Sequence, residues 1–101
     1  MRKKTTILLL SGILLLGIYL YWNFRYVEFH AVHLGADELV ISTEKQTPKF
    51  YDNLKKVLNH YEEDFKEENG MVYIRYKLYK DEELVWNYTT KANDPVWLLT
   101  L

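Results

Sequence analysis

The first 24 positions are dominated by an apolar run that no charged residue interrupts. Residues 5–24 read TTILLLSGILLLGIYLYWNF. At about 1.5 Å per residue, a helix of this length crosses a hydrocarbon layer of roughly 30 Å. Aromatic residues gather at the end of the run, as they do where a membrane helix meets lipid headgroups. The pattern predicts a transmembrane anchor at residues 1–24 and a separate domain at residues 25–101.

A cleaved signal peptide is the alternative interpretation of the same run. Signal peptides have an apolar stretch of about 7–15 residues, and small residues precede their cleavage site. Here apolar and small residues continue from position 7 to position 22, and aromatic rather than small residues stand at its end. The sequence favours a retained anchor, while cleavage stays open.

Basic residues lie mainly on one side of the run. Arg2, Lys3 and Lys4 precede it, and only Arg25 follows it closely. Because flanks rich in Lys and Arg stay on the cytoplasmic side, we expect a single-pass protein of the cell membrane with a cytoplasmic N-terminus. The domain is then extracytoplasmic, which in a bacterium means periplasmic. The two glycines of the run lie five positions apart, so they do not form a GxxxG pairing motif.

Apolar positions recur at steps of three and four between positions 48 and 66, which predicts an amphipathic helix. Thr47 is suited to cap its start, and Pro48 to occupy its first turn. Gly70 is expected to stop the helix in a left-handed conformation. The apolar stripe consists of Phe50, Leu54, Val57, Leu58, Tyr61 and Phe65.

The period changes to two on both sides of this helix, which predicts β-strands. Downstream we expect strands at residues 72–79 and 84–88, joined by a polar turn. The preferred register places Leu78 opposite Leu84, and the other register stays open. Upstream we expect strands at residues 26–33 and 38–43.

The order of these elements predicts the fold class. Two strands, a helix and two strands (β-β-α-β-β) suggest an α+β domain with one amphipathic helix packed on an antiparallel sheet in two layers. Residues 96–101, including Trp97, are either an extra C-terminal strand or an apolar segment. If that segment does not belong to the core, it is a second candidate element for binding a partner.

Composition narrows the function classes. Three of the 13 basic residues precede the apolar run, so residues 25–101 carry 10 basic and all 14 acidic residues, a net charge of −4. A nucleic-acid binder needs clustered Lys and Arg, so we predict no nucleic-acid partner. The chain has no Cys, which excludes disulfides and thiolate ligands.

Candidate chemistry is sparse. His30 and His33 suggest a metal site, but a spacing of three sends them to opposite faces of a strand. The acidic positions 62–68 are typical of a solvated helix end. Asn87 begins a glycosylation sequon that occurs often by chance. We therefore predict no catalytic, metal-binding or cofactor-binding residues, no cofactor and no small-molecule substrate, and we expect a protein that is not an enzyme.

A protein-binding surface is the remaining hypothesis. Tyr73, Arg75, Lys77 and Tyr79 are expected to share the uncovered face of one strand, and Tyr and Arg are enriched in binding hot spots. The prediction is a membrane-anchored module that binds another protein of the cell envelope, as an accessory subunit or as an inhibitor or immunity-type protein. The alternatives are a regulator that acts through its transmembrane helix and, less favoured, a metal-dependent enzyme using His30 and His33.

Overall fold

The N-terminal apolar run forms one continuous helix, α1 (Arg2–Phe24). The structure, a computed structural model, describes residues 2–101. The segment Lys3–Phe24 has a mean hydropathy of 1.9 and is long and apolar enough to cross a membrane. Its apolar side chains point outward, and Asn23 is the only residue of the described part of α1 that is buried.

The remainder of the chain is an α+β domain, which confirms the predicted class at this level. One residue, Arg25, separates α1 from the first strand. The strands are β1 (Tyr26–Glu28), β2 (Val32–Leu34), β3 (Leu39–Ile41), β4 (Phe65–Glu68) and β5 (Met71–Arg75). The further helices are α2 (Pro48–His60), α3 (Tyr76–Tyr79), α4 (Glu82–Ala92) and α5 (Pro95–Leu98).

The strands form two small antiparallel sheets. The first has the order β1-β5-β4, with Tyr26 opposite Arg75 and Phe65 opposite Ile74. The second is the hairpin β2–β3, in which Leu34 pairs with Leu39 around the predicted turn. The upstream prediction is therefore correct in its hairpin turn. It is wrong in its first strand, because residues 26–33 divide between the two sheets.

The core lies between the helices and the strands. Helix α2 contacts α4 and β5, and α4 contacts the β2–β3 hairpin. The buried hydrophobic residues are Phe29, Ala31, Val32, Phe50, Tyr51, Leu54, Val57, Leu58, Val72, Ile74, Leu78, Val85, Tyr88 and Ala92. All of them lie outside α1, so this core belongs to the domain alone.

Helix α2 begins as predicted but ends earlier. The Thr47 hydroxyl accepts the Phe50 N–H at 3.2 Å, and Pro48 occupies the first turn. The helix stops at His60 because Glu62 adopts a left-handed conformation with φ 56°. Its N–H and that of Glu63 donate to carbonyls of the last helical turn, which is a Schellman ending. The prediction of a helix to residue 66 is wrong.

Gly70 is left-handed, with φ 77°, but it belongs to a strand connection rather than to a helix end. Asn69 before it has φ 54°, so both central residues of the β4–β5 turn have positive φ. This is the two-residue hairpin turn that Asn-Gly sequences favour. The predicted helix stop at Gly70 is wrong.

Two helices stand where strands were predicted at residues 76–79 and 84–88. The strand ends at Arg75, and the chain continues as α3 and then as α4. The Asp81 carboxylate accepts the Leu84 N–H at 3.2 Å and caps α4. The negative charges of Glu82 and Glu83 stabilise the first turn of the helix through its dipole. The predicted hairpin with Leu78 opposite Leu84 does not exist, and the order β-β-α-β-β is wrong. The C-terminal strand is wrong as well, because α5 occupies that segment.

Candidate binding surfaces

The four residues of the predicted binding face do not share a strand. Tyr73 and Arg75 belong to β5, whereas Lys77 and Tyr79 belong to α3. The Tyr76 N–H still donates to the Arg25 carbonyl at 2.8 Å, in register with the β1–β5 pairing, and the chain turns into α3 at that residue. Only Lys77 of the four is fully exposed, and the other three are partly buried.

Arg75 attaches the end of α1 to the sheet. Its Nη1 donates to the Phe24 carbonyl at 2.5 Å, and its Nε donates to Asp64 Oδ2 at 2.7 Å. Its guanidinium also lies 4.0 Å from the centre of the Tyr26 ring. The hydrogen bond from Arg75, followed by that from the Tyr26 hydroxyl at 3.0 Å, lowers the pKa of Asp64. Arg75 is thus part of the scaffold.

Arg25 and Lys80 fix the same helix end to α3. The Arg25 guanidinium lies between two rings, 4.1 Å from the centre of Trp22 and 4.6 Å from that of Tyr76. The Lys80 ammonium donates to the Asn23 side-chain oxygen at 2.8 Å. These contacts join α1 to residues more than 50 positions away along the chain.

A cleft opens beside this attachment, and we name it the junction cleft. Its volume is about 430 Å³. Its lining residues are Tyr21, Phe24, Arg25, Tyr26, Lys66 and Arg75. Three of the six are cations and the other three are aromatic. The cleft combines a positive charge with an apolar wall at the point where the apolar helix meets the domain.

Aromatic residues gather around α5 in a second place. The Trp97 ring is stacked on Tyr61, with centroids 6.1 Å apart, and Tyr61 is stacked on Tyr88 at 5.2 Å. The Lys91 ammonium bonds to the Tyr61 hydroxyl and lies against the Trp97 ring. Burial and the hydrogen bond to Glu63 raise the pKa of Tyr88. Lys91 thus contacts both Tyr61 and Trp97, two neighbouring rings of this cluster.

Two tryptophans and two exposed aliphatic residues lie on α4, on α5 and at the end of α5, and we name this set the tail surface. Trp86 and Trp97 line an open cleft of about 270 Å³ together with the polar residues Asn87, Thr90, Lys91 and Asp94. Val96 and Leu99 follow three positions apart on α5 and its end, with 72% and 86% of their surface exposed. The tail surface comprises Trp86, Val96, Trp97 and Leu99. Within the segment 96–101, Trp97 and Leu98 pack against the core, whereas Val96 and Leu99 lie outside it.

Of the residues considered for chemistry, His30 and His33 lie outside both clefts, whereas Asn87 lines the Trp86–Trp97 cleft. His30 lies between β1 and β2, and its ring is 6.1 Å from that of Tyr79, whereas His33 is exposed on β2. Asn87 is exposed on α4 rather than lying in a strand. Within residues 2–101, no three His, Asp or Glu side chains are grouped so that they could hold a metal ion.

Sequence reasoning missed the junction cleft because its residues come from four separate parts of the chain. Arg75 was singled out, but as an exposed contact residue rather than as the attachment of α1. Comparison with known proteins found no matching family model, no matching curated protein and no matching solved structure.

Proposed function

We propose that this protein is a membrane-anchored module that binds another protein through the tail surface. The observation that carries the proposal is the exposure of Val96 and Leu99 beside two partly buried tryptophans. Small soluble domains rarely expose such groups together unless a partner covers them. Tryptophan is also among the residues that contribute most to binding energy in interfaces.

The anchoring part of the proposal rests on α1. Its outward side chains are apolar around the whole helix, which suits a lipid environment rather than a surface on water. The aromatic residues Tyr19, Tyr21 and Trp22 stand at the end nearest the domain, where headgroups are expected. We place the N-terminus in the cytoplasm and residues 25–101 outside it, because Arg2, Lys3 and Lys4 flank the other end.

A protein partner suits the tail surface better than a small molecule. The Trp86–Trp97 cleft is smaller than the roughly 300–1,000 Å³ that small-molecule sites usually occupy. Its size suits one or two side chains, and Val96 and Leu99 are further exposed apolar residues on α5 and at its end. The partner is proposed to be an envelope protein, either a complex to which this protein is an accessory subunit or a target that it inhibits. We propose no enzymatic activity.

Tyr73, Arg75, Lys77 and Tyr79 remain a second proposed contact area. Arg75 is committed to Asp64 and Phe24, so its replacement would disturb the attachment of α1. Tyr73 and Lys77 make no hydrogen bond to another side chain among the contacts found in the described residues. They are therefore the positions at which a partner contact is tested with the least damage to the fold.

Regulation through α1 is the second candidate function. One observation favours it: the end of α1 is fixed to α3 and β5 rather than joined by a flexible linker. Movement of the helix in the membrane would therefore move the domain. Replacing residues 7–18 by an unrelated apolar sequence, while keeping positions 19–24, is expected to preserve partner binding and to abolish a helix-based activity.

The proposal is tested by affinity purification of the full-length protein from its own membranes in mild detergent. The double variant Val96→Ser/Leu99→Ser is expected to lose a stoichiometric partner. Leu34→Ser is the matched control, because Leu34 is 61% exposed on the β2–β3 hairpin, away from the tail surface. Tyr73→Ala/Lys77→Ala tests the second area in the same experiment.

Each result has a definite meaning. Loss of the partner in the tail variant alone supports the proposal, and loss in the Tyr73/Lys77 variant alone moves the binding site to the second area. Equal recovery of the partner with every variant, or recovery of the wild-type protein alone, contradicts protein binding through these surfaces.

A further inference from the structure

We infer that the junction cleft binds the phosphate of an anionic phospholipid headgroup. This inference rests on the proposed insertion of α1 in a membrane, and it adds a ligand for a surface that is separate from the tail surface. The relevant residues are those that line the cleft and the cations next to it.

The charge around the junction cleft differs from that of the domain as a whole. Residues 25–101 carry a net charge of −4. Nevertheless, five of their basic residues lie around the end of α1, either lining the cleft or touching the last residues of the helix. These are Arg25, Lys66, Arg75, Lys77 and Lys80. An acidic domain has thus placed half of its cations on the side from which α1 extends.

Two of the three cations of the cleft, Lys66 and Arg25, retain capacity for an anion. Arg75 is fully engaged, with Asp64 through Nε and Nη2 and with the Phe24 carbonyl through Nη1, whereas Lys66 has only a 3.6 Å contact with Glu68 at an exposed position. The Nε of Arg25 is buried and has no hydrogen-bond partner among residues 2–101. A buried N–H without an acceptor is rare in native proteins. Because this Nε is enclosed, a phosphate must contact Arg25 through the part of the side chain that lines the cleft. Arg and Lys bind phosphate through short charge-assisted hydrogen bonds.

The position of the cleft identifies the source of the phosphate. Tyr21 and Phe24 of α1 form part of its wall, together with Tyr26 just beyond the helix. Aromatic rings at the end of an apolar span lie at the level of the headgroups. A lipid beside α1 therefore presents its phosphate at this height while its acyl chains follow the helix. A free phosphate ion makes no use of the aromatic wall.

The aromatic residues also hold the cations in place. Lys66 lies 5.1 Å from the centre of the Tyr26 ring, and Arg25 is fixed between Trp22 and Tyr76. Side chains that are already ordered lose less conformational freedom when they bind a ligand. The cleft is therefore preorganised for an anion.

Native mass spectrometry of the full-length protein in non-ionic detergent micelles tests the inference. Dioleoylphosphatidylglycerol, dioleoylphosphatidylcholine and sodium phosphate are added separately at equal concentration. We expect the fraction of protein that carries one lipid to be greatest with phosphatidylglycerol. Because each basic residue near an anionic surface contributes about a fivefold change in binding, Lys66→Gln and Arg25→Gln should each reduce that fraction about fivefold. Lys45→Gln, the same charge change on an exposed loop, should leave it unchanged.

The outcomes separate the possibilities. Equal reduction by Lys66→Gln and Lys45→Gln, or no preference for phosphatidylglycerol over phosphatidylcholine, overturns the inference. Sodium phosphate binding that matches the lipid and depends on Lys66 identifies a free-anion site and also overturns it. Retention of Lys66→Gln in carbonate-washed membranes shows whether the anchor is intact. Extraction of the wild type by carbonate contradicts the proposed function itself, whereas a retained protein without lipid preference contradicts only the lipid site.

Discussion

Thr89 shows how one buried hydroxyl joins two elements. Its side chain is 1% exposed, accepts the Val32 N–H at 3.2 Å and donates to the Val85 carbonyl at 2.8 Å. The first bond connects α4 to the start of the β2–β3 hairpin. The second satisfies the hydroxyl hydrogen within the helix. Thr89 therefore provides a donor and an acceptor that an apolar residue of the same shape lacks.

Thr89→Val is expected to destabilise the domain by about 1–3 kcal/mol, because the Val32 N–H remains buried without an acceptor. Thr89→Ser is the matched control, since it keeps the hydroxyl and removes only a methyl group. Urea unfolding of the full chain in non-ionic detergent, followed by tryptophan fluorescence, measures the difference. Equal stability of Thr89→Val and wild type would show that the Val32 N–H is satisfied in another way.

Asp64 makes part of the stability depend on pH. Hydrogen bonds from Arg75 and Tyr26 lower the pKa of its carboxyl in the folded protein. A carboxyl with a lowered folded pKa contributes stability above its unfolded pKa of about 3.9 and loses it as the pH falls through the folded pKa. Because Asp64 is largely exposed, the contribution is small.

The Asp64→Asn variant is therefore expected to be slightly less stable than wild type at pH 7. The difference should vanish as the pH is lowered below about 3.9 and through the folded pKa of Asp64. Thermal melting at several pH values measures it. A difference that persists unchanged at the lowest pH would mean that Asp64 acts through its shape rather than its charge.

At the scale of elements, a helix or strand could be predicted from the sequence where large apolar residues repeat with a clear period. Helix α2 was predictable because its large aliphatic and aromatic residues repeat over three turns. Helix α4 was not predictable, because its buried face includes the weakly apolar Thr89 and Ala92. In addition, the large residues Leu84, Trp86 and Tyr88 alternate with the period of a strand. The Asn69-Gly70 signal of the β4–β5 hairpin was present in the sequence, but it was interpreted as a helix end.

Gly70→Ala tests this turn directly. At φ 77°, a side chain costs about 1 kcal/mol even though nothing lies within 4 Å of the added Cβ. We expect a loss of stability of that size in urea unfolding. Asn69→Gly, which places a permissive residue at the neighbouring left-handed position, serves as the control and should change stability little. A neutral Gly70→Ala variant would contradict the turn.

At the scale of the whole molecule, the hydrophobic core lies in the domain, and α1 is attached outside that core. In the part of the chain that the structure describes, every buried hydrophobic residue lies between Phe29 and Ala92. The attachment of α1 uses polar and cation–ring contacts at the rim of that core. This attachment could not be foreseen from the sequence, because Asn23 and Lys80 are 57 positions apart and neither belongs to a repeating pattern.

The fragment 25–101 is therefore expected to fold without α1. Its far-UV circular dichroism should show both helix and strand, and its thermal unfolding should be cooperative. Leu54→Ala, at a fully buried position of α2, should destabilise the fragment by about 2–5 kcal/mol. A disordered spectrum for the wild-type fragment would mean that the domain requires α1 or a partner.

If α1 spans a bilayer as proposed, the single residue between α1 and β1 limits how far the protein extends from it. Helix α1 accounts for about 35 Å of length, and the longest dimension of the molecule is 65 Å. The domain therefore extends roughly 30 Å beyond the span, with no linker to lengthen that distance. A binding partner must approach to within this distance of the bilayer. A partner in the same membrane would reach the domain by diffusion in two dimensions. The tail surface is then held at a fixed distance from the bilayer, and a partner can reach it only at that distance.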